Sequence, residues 1–173
     1  MKRFAIFAAA ALLAAGCGSS NPNTPSTPPA TVTFTAALSP ANENPPITNA
    51  DASASGTGTF KMDLTRDSAG AITSAKATFI FTVTGFPANT LIQAGHIHIG
   101  GPGINGNPVV NTGLTAGTGI SLPSGSVTNQ TIANIDVSGT QAQQIIDNPN
   151  GFYYNLHTSL NPGGAVRAQL VKQ

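Results

Sequence analysis

The chain has 173 residues, is 40% hydrophobic but only 8% charged, and carries a formal net charge of +1. That balance excludes the clustered basic face of a nucleic-acid binder and fits one folded domain of ordinary size. A single cysteine, Cys17, excludes a disulfide framework, so stability has to come from a hydrophobic core.

In chain order, Lys2 and Arg3 form a positive start, and Phe4 to Ala15 form an apolar run too short for a comfortable membrane span. The run Leu12-Leu13-Ala14-Ala15-Gly16-Cys17 resembles the end of a bacterial lipoprotein signal. This resemblance implies a signal peptide over 1–16 and a lipidated N-terminal Cys17 on the mature chain. Without residues 1–16, five Lys and Arg face six Asp and Glu, a formal charge of about −1. No later stretch is long and apolar enough to span a bilayer, so the lipid is the expected anchor. Residues 18–30, polar and proline-rich, cannot bury enough surface to fold and read with Cys17 as a tether. The folded domain is expected over 31–173.

Thr31 to Leu38 alternates, with Val32, Phe34, Ala36 and Leu38 on one face. Gly58 to Thr65 repeats the pattern with Phe60, Met62 and Leu64. A turn at Asp67-Ser68-Ala69-Gly70 leads to a third strand, Ala75 to Thr84, with Ala77, Phe79, Phe81 and Val83 inward. The break at Gly85-Phe86-Pro87-Ala88-Asn89 precedes a strand that holds Gly95-His96-Ile97-His98-Ile99-Gly100. After it comes a loop dense in glycine, proline and asparagine over 100–108. That loop lacks the lysine and following helix of a phosphate cradle.

Val109-Val110 and Ser126 to Ile132 are weaker strand candidates. Ser138 as N-cap with Gln141 three residues on predicts one short helix over about 139–147, stopped by Pro149 and Gly151. Phe152 to Thr158 and Ala165 to Val171 close the chain as two strands joined at Asn161-Pro162-Gly163-Gly164. Many short strands with such turns predict an all-β, antiparallel Greek-key sandwich or barrel.

The chain has three histidines, His96, His98 and His157. Strand alternation puts His96 and His98 on one side, with Ile97 and Ile99 on the other. Two neutral imidazoles side by side are half of a transition-metal site, and His157 in a later strand could complete it. The competing reading makes them hydrogen-bonded packing residues on a half-buried sheet face. The facing also predicts a site lying at the surface. Tyr153 and Asn155 share the face of His157 and are candidates to orient an imidazole. Glu43, in a proline-bounded loop, is a candidate fourth ligand or an ion-pair residue. Arg167 could hold an anion near the same face or pair with Glu43.

Asn42-Glu43-Asn44-Pro45-Pro46, Ala94-Gly95-His96-Ile97-His98-Ile99-Gly100, and Tyr154-Asn155-Leu156-His157-Thr158 followed by Pro162-Gly163-Gly164-Ala165-Val166-Arg167-Ala168-Gln169-Leu170 resemble the CHRD domain. This module is named from the extracellular protein chordin and also occurs singly in bacterial secreted proteins. The resemblance covers nearly all of 31–173 and implies a β fold rather than a reaction. It departs at Asn44, where the family often has valine, and at Ala168, where it often has glycine. A weaker resemblance links the His-x-His strand, the later histidine and the following arginine to copper–zinc superoxide dismutases. The bridging histidine and zinc-ligand cluster are missing, so that analogy implies at most a mononuclear copper-like site.

Three functions are open at this level. The first is a non-enzymatic binding domain with copper, less readily zinc, on His96, His98 and His157. The second is a module for a protein or polysaccharide partner of the envelope, with structural histidines. The third is a copper-dependent redox enzyme, although no separate acid–base pair is visible. The expected setting is the outer membrane of a Gram-negative cell, or otherwise the outer face of the cytoplasmic membrane, and no nucleic acid is expected as partner.

Overall fold

The computed structural model describes residues 30–173, so residues 1–16, Cys17 and nearly all of the tether lie outside it. The alternation that marks β1 (Thr31–Leu38) buries Val32, Phe34, Ala36 and Leu38 and leaves Thr33 and Thr35 half-buried on the other face. β2 (Ser55–Arg66) and β3 (Ile72–Thr84) form a hairpin in which Phe60 lies opposite Phe79. Its turn is stapled by Asp67 Oδ1, which accepts from the Ala69 and Ala71 N–H groups at 3.0 and 2.9 Å. The chain continues through β4 (Thr90–Ile99), β5 (Pro108–Asn111), β6 (Ile120–Leu122) and β7 (Val127–Ser138). Helix α1 (Gly139–Asp147) then leads to β8 (Phe152–Thr158), β9 (Val166–Gln169) and β10 (Val171–Lys172).

Two antiparallel sheets face each other as a β-sandwich. One has the order β10-β1-β2-β3-β7; the other runs β5-β4-β8-β9, with β6 also paired to β4. Between them Phe34, Phe60, Phe79 and Tyr154 form an aromatic column, with successive ring centroids 6.1, 5.0 and 5.3 Å apart. Tyr154 is the member contributed by β8, so the column joins the two sheets. The Ser138 hydroxyl caps α1 by accepting from the Gln141 N–H, and Ala142 and Ile145 bury its apolar side.

The all-β class and the short helix agree with the sequence pattern, but four details differ. β6 is only three residues long, too short to show alternation. β7 runs to Ser138, well past Ile132, because Asn129 and Asn134 adopt φ of 52° and 63° where its register against β3 shifts. These bulges break the period that sequence reading depends on. The final strand, expected over 165–171, divides at Leu170, whose N–H donates to the Phe152 carbonyl. β9 therefore pairs with β8 while β10 pairs with β1 in the other sheet. Ile99 is 48% exposed although it shares the inward side of β4 with Ile97, because the strand there has passed the rim of the core.

Candidate metal centre

Register places the functional residues. In the β4–β8 pair, His98 stands opposite Tyr153, His96 opposite Asn155, and Ala94 opposite His157. In the β8–β9 pair, Asn155 stands opposite Arg167 and Tyr153 opposite Gln169. Ile97, Tyr154 and Leu156 point into the core and are fully buried. Alternation then turns His96, His98, Tyr153, Asn155, His157 and Arg167 together onto the outer face of the second sheet.

That face is roofed, not open. The segments around Asn42–Glu43, Ile104–Gly106 and Asn161–Pro162 fold over it and bond to its side chains. His98, Asn155, His157 and Arg167 are buried as a result, and only His96 is half-buried. The expectation of a surface-lying set is corrected: the loops that the strand pattern could not place cover it.

The imidazoles are held in defined orientations. His98 Nδ1 lies 2.8 Å from the Gly106 carbonyl, and His157 Nδ1 lies 3.0 Å from the Pro162 carbonyl. A carbonyl oxygen only accepts, so both Nδ1 atoms carry the hydrogen and both Nε2 atoms keep a lone pair. His96 Nδ1 donates to His157 Nε2 at 3.0 Å. His98 Nε2 is buried and has no hydrogen-bond partner among the described residues. One ligand nitrogen from each ring lies within 4.8 Å of the others. A metal about 2.0–2.1 Å from each nitrogen spreads its ligands roughly 3 Å apart, so the His96–His157 pair already stands at ligand spacing.

A family model described as the CHRD domain matches residues 34–170. The chain belongs to the CHRD-domain family. The matched stretch contains Glu43, all three histidines and Arg167. No curated protein and no solved structure matches the chain.

The electrostatics of this CHRD domain keep the three rings neutral. Burial, reinforced by His157 and His98, holds His96 down at about 4. Burial also lowers His98 and His157 below the ordinary value, against the opposing pull of the Gly106 and Pro162 carbonyls. Neutral imidazole is the form that ligates a metal.

The other sequence candidates divide into two groups. Tyr153 stacks on His98, with ring centroids 4.9 Å apart and planes at 11°, and its hydroxyl accepts from the Gly106 N–H at 3.2 Å. Arg167 lies over the same tyrosine, its Cζ 4.6 Å from the ring centroid. The Arg167 guanidinium also donates to Asn42 O at 2.6 Å, Asn105 Oδ1 at 2.8 Å and Ile104 O at 3.4 Å. Glu43 does not join the imidazoles. Its carboxylate lies 3.9 Å from Arg167 Nε, and burial pushes it up to about 7 despite that guanidinium. Asn155 Oδ1, Glu43 Oε1 and Arg167 Nη2 are buried without partners among the described residues.

The contributions of Gly106, Pro162 and Asn105 escape sequence reading because they act through backbone carbonyls or a loop contact. One signal is present at Gly106: a Cβ there would run into the Ile99 carbonyl, so only glycine lets the loop close on His98. Asp51 is another omission. It lies in a polar segment with no motif and bonds to Thr158, 107 positions away in the chain.

Proposed function

We propose that the CHRD domain binds one transition-metal ion, copper in preference to zinc, through His98 Nε2, His157 Nε2 and His96 Nδ1. The metal replaces the His96–His157 hydrogen bond as the neutral His96 ring shifts its hydrogen from Nδ1 to Nε2. The observation that carries this reading is the pair of loop carbonyls that fix two tautomers and leave both Nε2 atoms unprotonated, in three rings whose ligand nitrogens lie within 4.8 Å of one another. The partnerless His98 Nε2 supports it, since an unbonded buried polar atom costs about 1–3 kcal/mol unless something else binds it. Three neutral imidazoles suit both copper and zinc, and copper(II) stands above zinc in intrinsic affinity. Anchoring of the domain at the cell envelope through lipidated Cys17 belongs to the same proposal, supported by the residues that precede Cys17.

Copper titration of the full chain tests the site. The expected result is one copper per chain, with at least about a hundredfold loss of affinity in the His96→Ala/His98→Ala double variant. Binding unchanged in that variant rejects the site. The anchor is tested by metabolic labelling with a fatty acid, which Cys17→Ala abolishes.

A second reading rests on the same hydrogen bonds. The imidazoles also act as struts that tie Gly106 and Pro162 to the sheet, as a module for a protein or polysaccharide partner would need. Under it, the wild-type chain takes up no copper and the double variant loses only loop order.

A further inference from the structure

The ring of His157 is set by the Pro162 carbonyl, and the position of that carbonyl depends on the turn over 158–164. Inside the turn the Asn161 N–H donates to Thr158 Oγ1 at 3.0 Å, and the Gly164 N–H donates to the Asn161 carbonyl at 3.1 Å. Asp51, only 1% exposed, reaches it from the 3-10 turn Ala50–Ser53. Its Oδ2 accepts from Thr158 Oγ1 and from Asn161 Nδ2, both at 2.6 Å. Asn49 braces the same joint: its Nδ2 donates to Asn161 Oδ1 at 2.8 Å, and its Oδ1 accepts from the Asp51 N–H at 3.1 Å. Asp51 thus grips the residue after His157 and the residue before Pro162, the neighbours of the two groups whose hydrogen bond orients the ring.

Arg167 does the equivalent for His98. It holds Asn105 and Ile104, immediately before Gly106, whose carbonyl takes the His98 Nδ1 hydrogen. Two buried charged side chains therefore each hold one loop, and each loop holds one imidazole.

We propose that Asp51 is a positioning residue for His157. By holding Thr158 and Asn161 it keeps the Pro162 carbonyl on Nδ1 and the Nε2 lone pair directed at the site, while Arg167 and Asn105 serve His98 alone. Its importance to binding rests on the metal reading above, but the orientation of the ring does not. Outer partners that orient a ligating histidine are worth about 10–100-fold in metal affinity.

The test is nitrogen-15 NMR of the histidine rings in the metal-free full chain at pH 8, followed by copper titration. In wild type, His157 and His98 each show a single tautomer with the hydrogen on Nδ1. Asp51→Ala is expected to give mixed tautomers at His157 and leave His98 unchanged, with copper affinity reduced about 10–100-fold. Asp51→Asn, which keeps an acceptor oxygen, restores both. Asn105→Ala shows the reverse pattern, with His98 mixed and His157 fixed. Thr158→Val, a milder cut of the same link, decides the matter where Asp51→Ala fails to fold. A single wild-type tautomer at His157 in Asp51→Ala, or in Thr158→Val where Asp51→Ala fails to fold, overturns the proposal, as does equal scrambling of both rings. A wild-type chain that binds no copper rejects the metal reading instead, and the tautomer comparison still judges Asp51.

Discussion

The outer faces of the two sheets follow the same strand alternation and end in opposite environments. On the first sheet Thr33, Thr35, Thr59 and Lys61 reach water, and the ion pair Lys76–Asp136 is exposed at both ends. On the second sheet the outward His98, Tyr153, Asn155, His157 and Arg167 are buried under loops, and His96 beside them is half-buried. Polar groups in water cost little. Polar groups removed from it have to be paired or otherwise bound, and Glu43, Asn155 and Arg167 under this roof each keep an atom without a partner among the described residues. The roofed face is therefore where the fold commits stability to a specific arrangement.

Removing one charge from each face gives the strongest contrast on the buried side. Arg167→Met leaves Glu43 buried without its cation and releases Asn42, Ile104 and Asn105. The expected loss is about 3–5 kcal/mol in urea unfolding. A loss under about 1 kcal/mol would show that the roof contributes no more than the open face.

An intermediate effect follows from titration. In the metal-free chain the three histidines lie below their ordinary 6.5 when folded, so the unfolded chain binds protons first as pH falls. Their contribution to stability is full above about 6.5 and is lost toward acid, down to about 4 for His96. Glu43 has the opposite sign. Its folded value of about 7 exceeds 4.5, so its proton favours the folded state at low pH and that support is lost as pH rises through 7. Glu43→Gln removes the offset. Unfolding followed from pH 7 to 4.5 should show a loss on acidification steeper than wild type by on the order of 2 kcal/mol. A slope equal to wild type would place the two groups outside one another's pH window.

The smallest effect belongs to the open face. Lys76→Met breaks an exposed pair with a separation of 2.6 Å and should change stability by less than about 1 kcal/mol. A larger loss would mean that the exposed pair matters as much as the buried one.

How much of this was legible depends on what each residue uses to act. His96, His98 and their common face follow from a two-residue period, and Arg167 with Glu43 was already a candidate ion pair. The first three strands were legible because Phe34, Phe60 and Phe79 stand in unbroken alternation. The far half of β7 was not, because two asparagines in left-handed conformation shift its phase. The roof was illegible for a different reason. Gly106 and Pro162 contribute carbonyl oxygens, which every residue has, and Asp51 finds its partners more than a hundred residues later.

β8 has one consequence for how this domain tolerates change. All seven of its residues are buried, with Tyr154 and Leu156 in the aromatic core and Tyr153, Asn155 and His157 under the roof. A slip of one position would exchange these two sets, driving an imidazole and an amide into the core. In a scan of every substitution, β1 should accept replacements at alternate positions, whereas β8 should accept almost none. The aromatic column thus acts as a gauge, and correct alignment of the histidines is checked by the packing behind them.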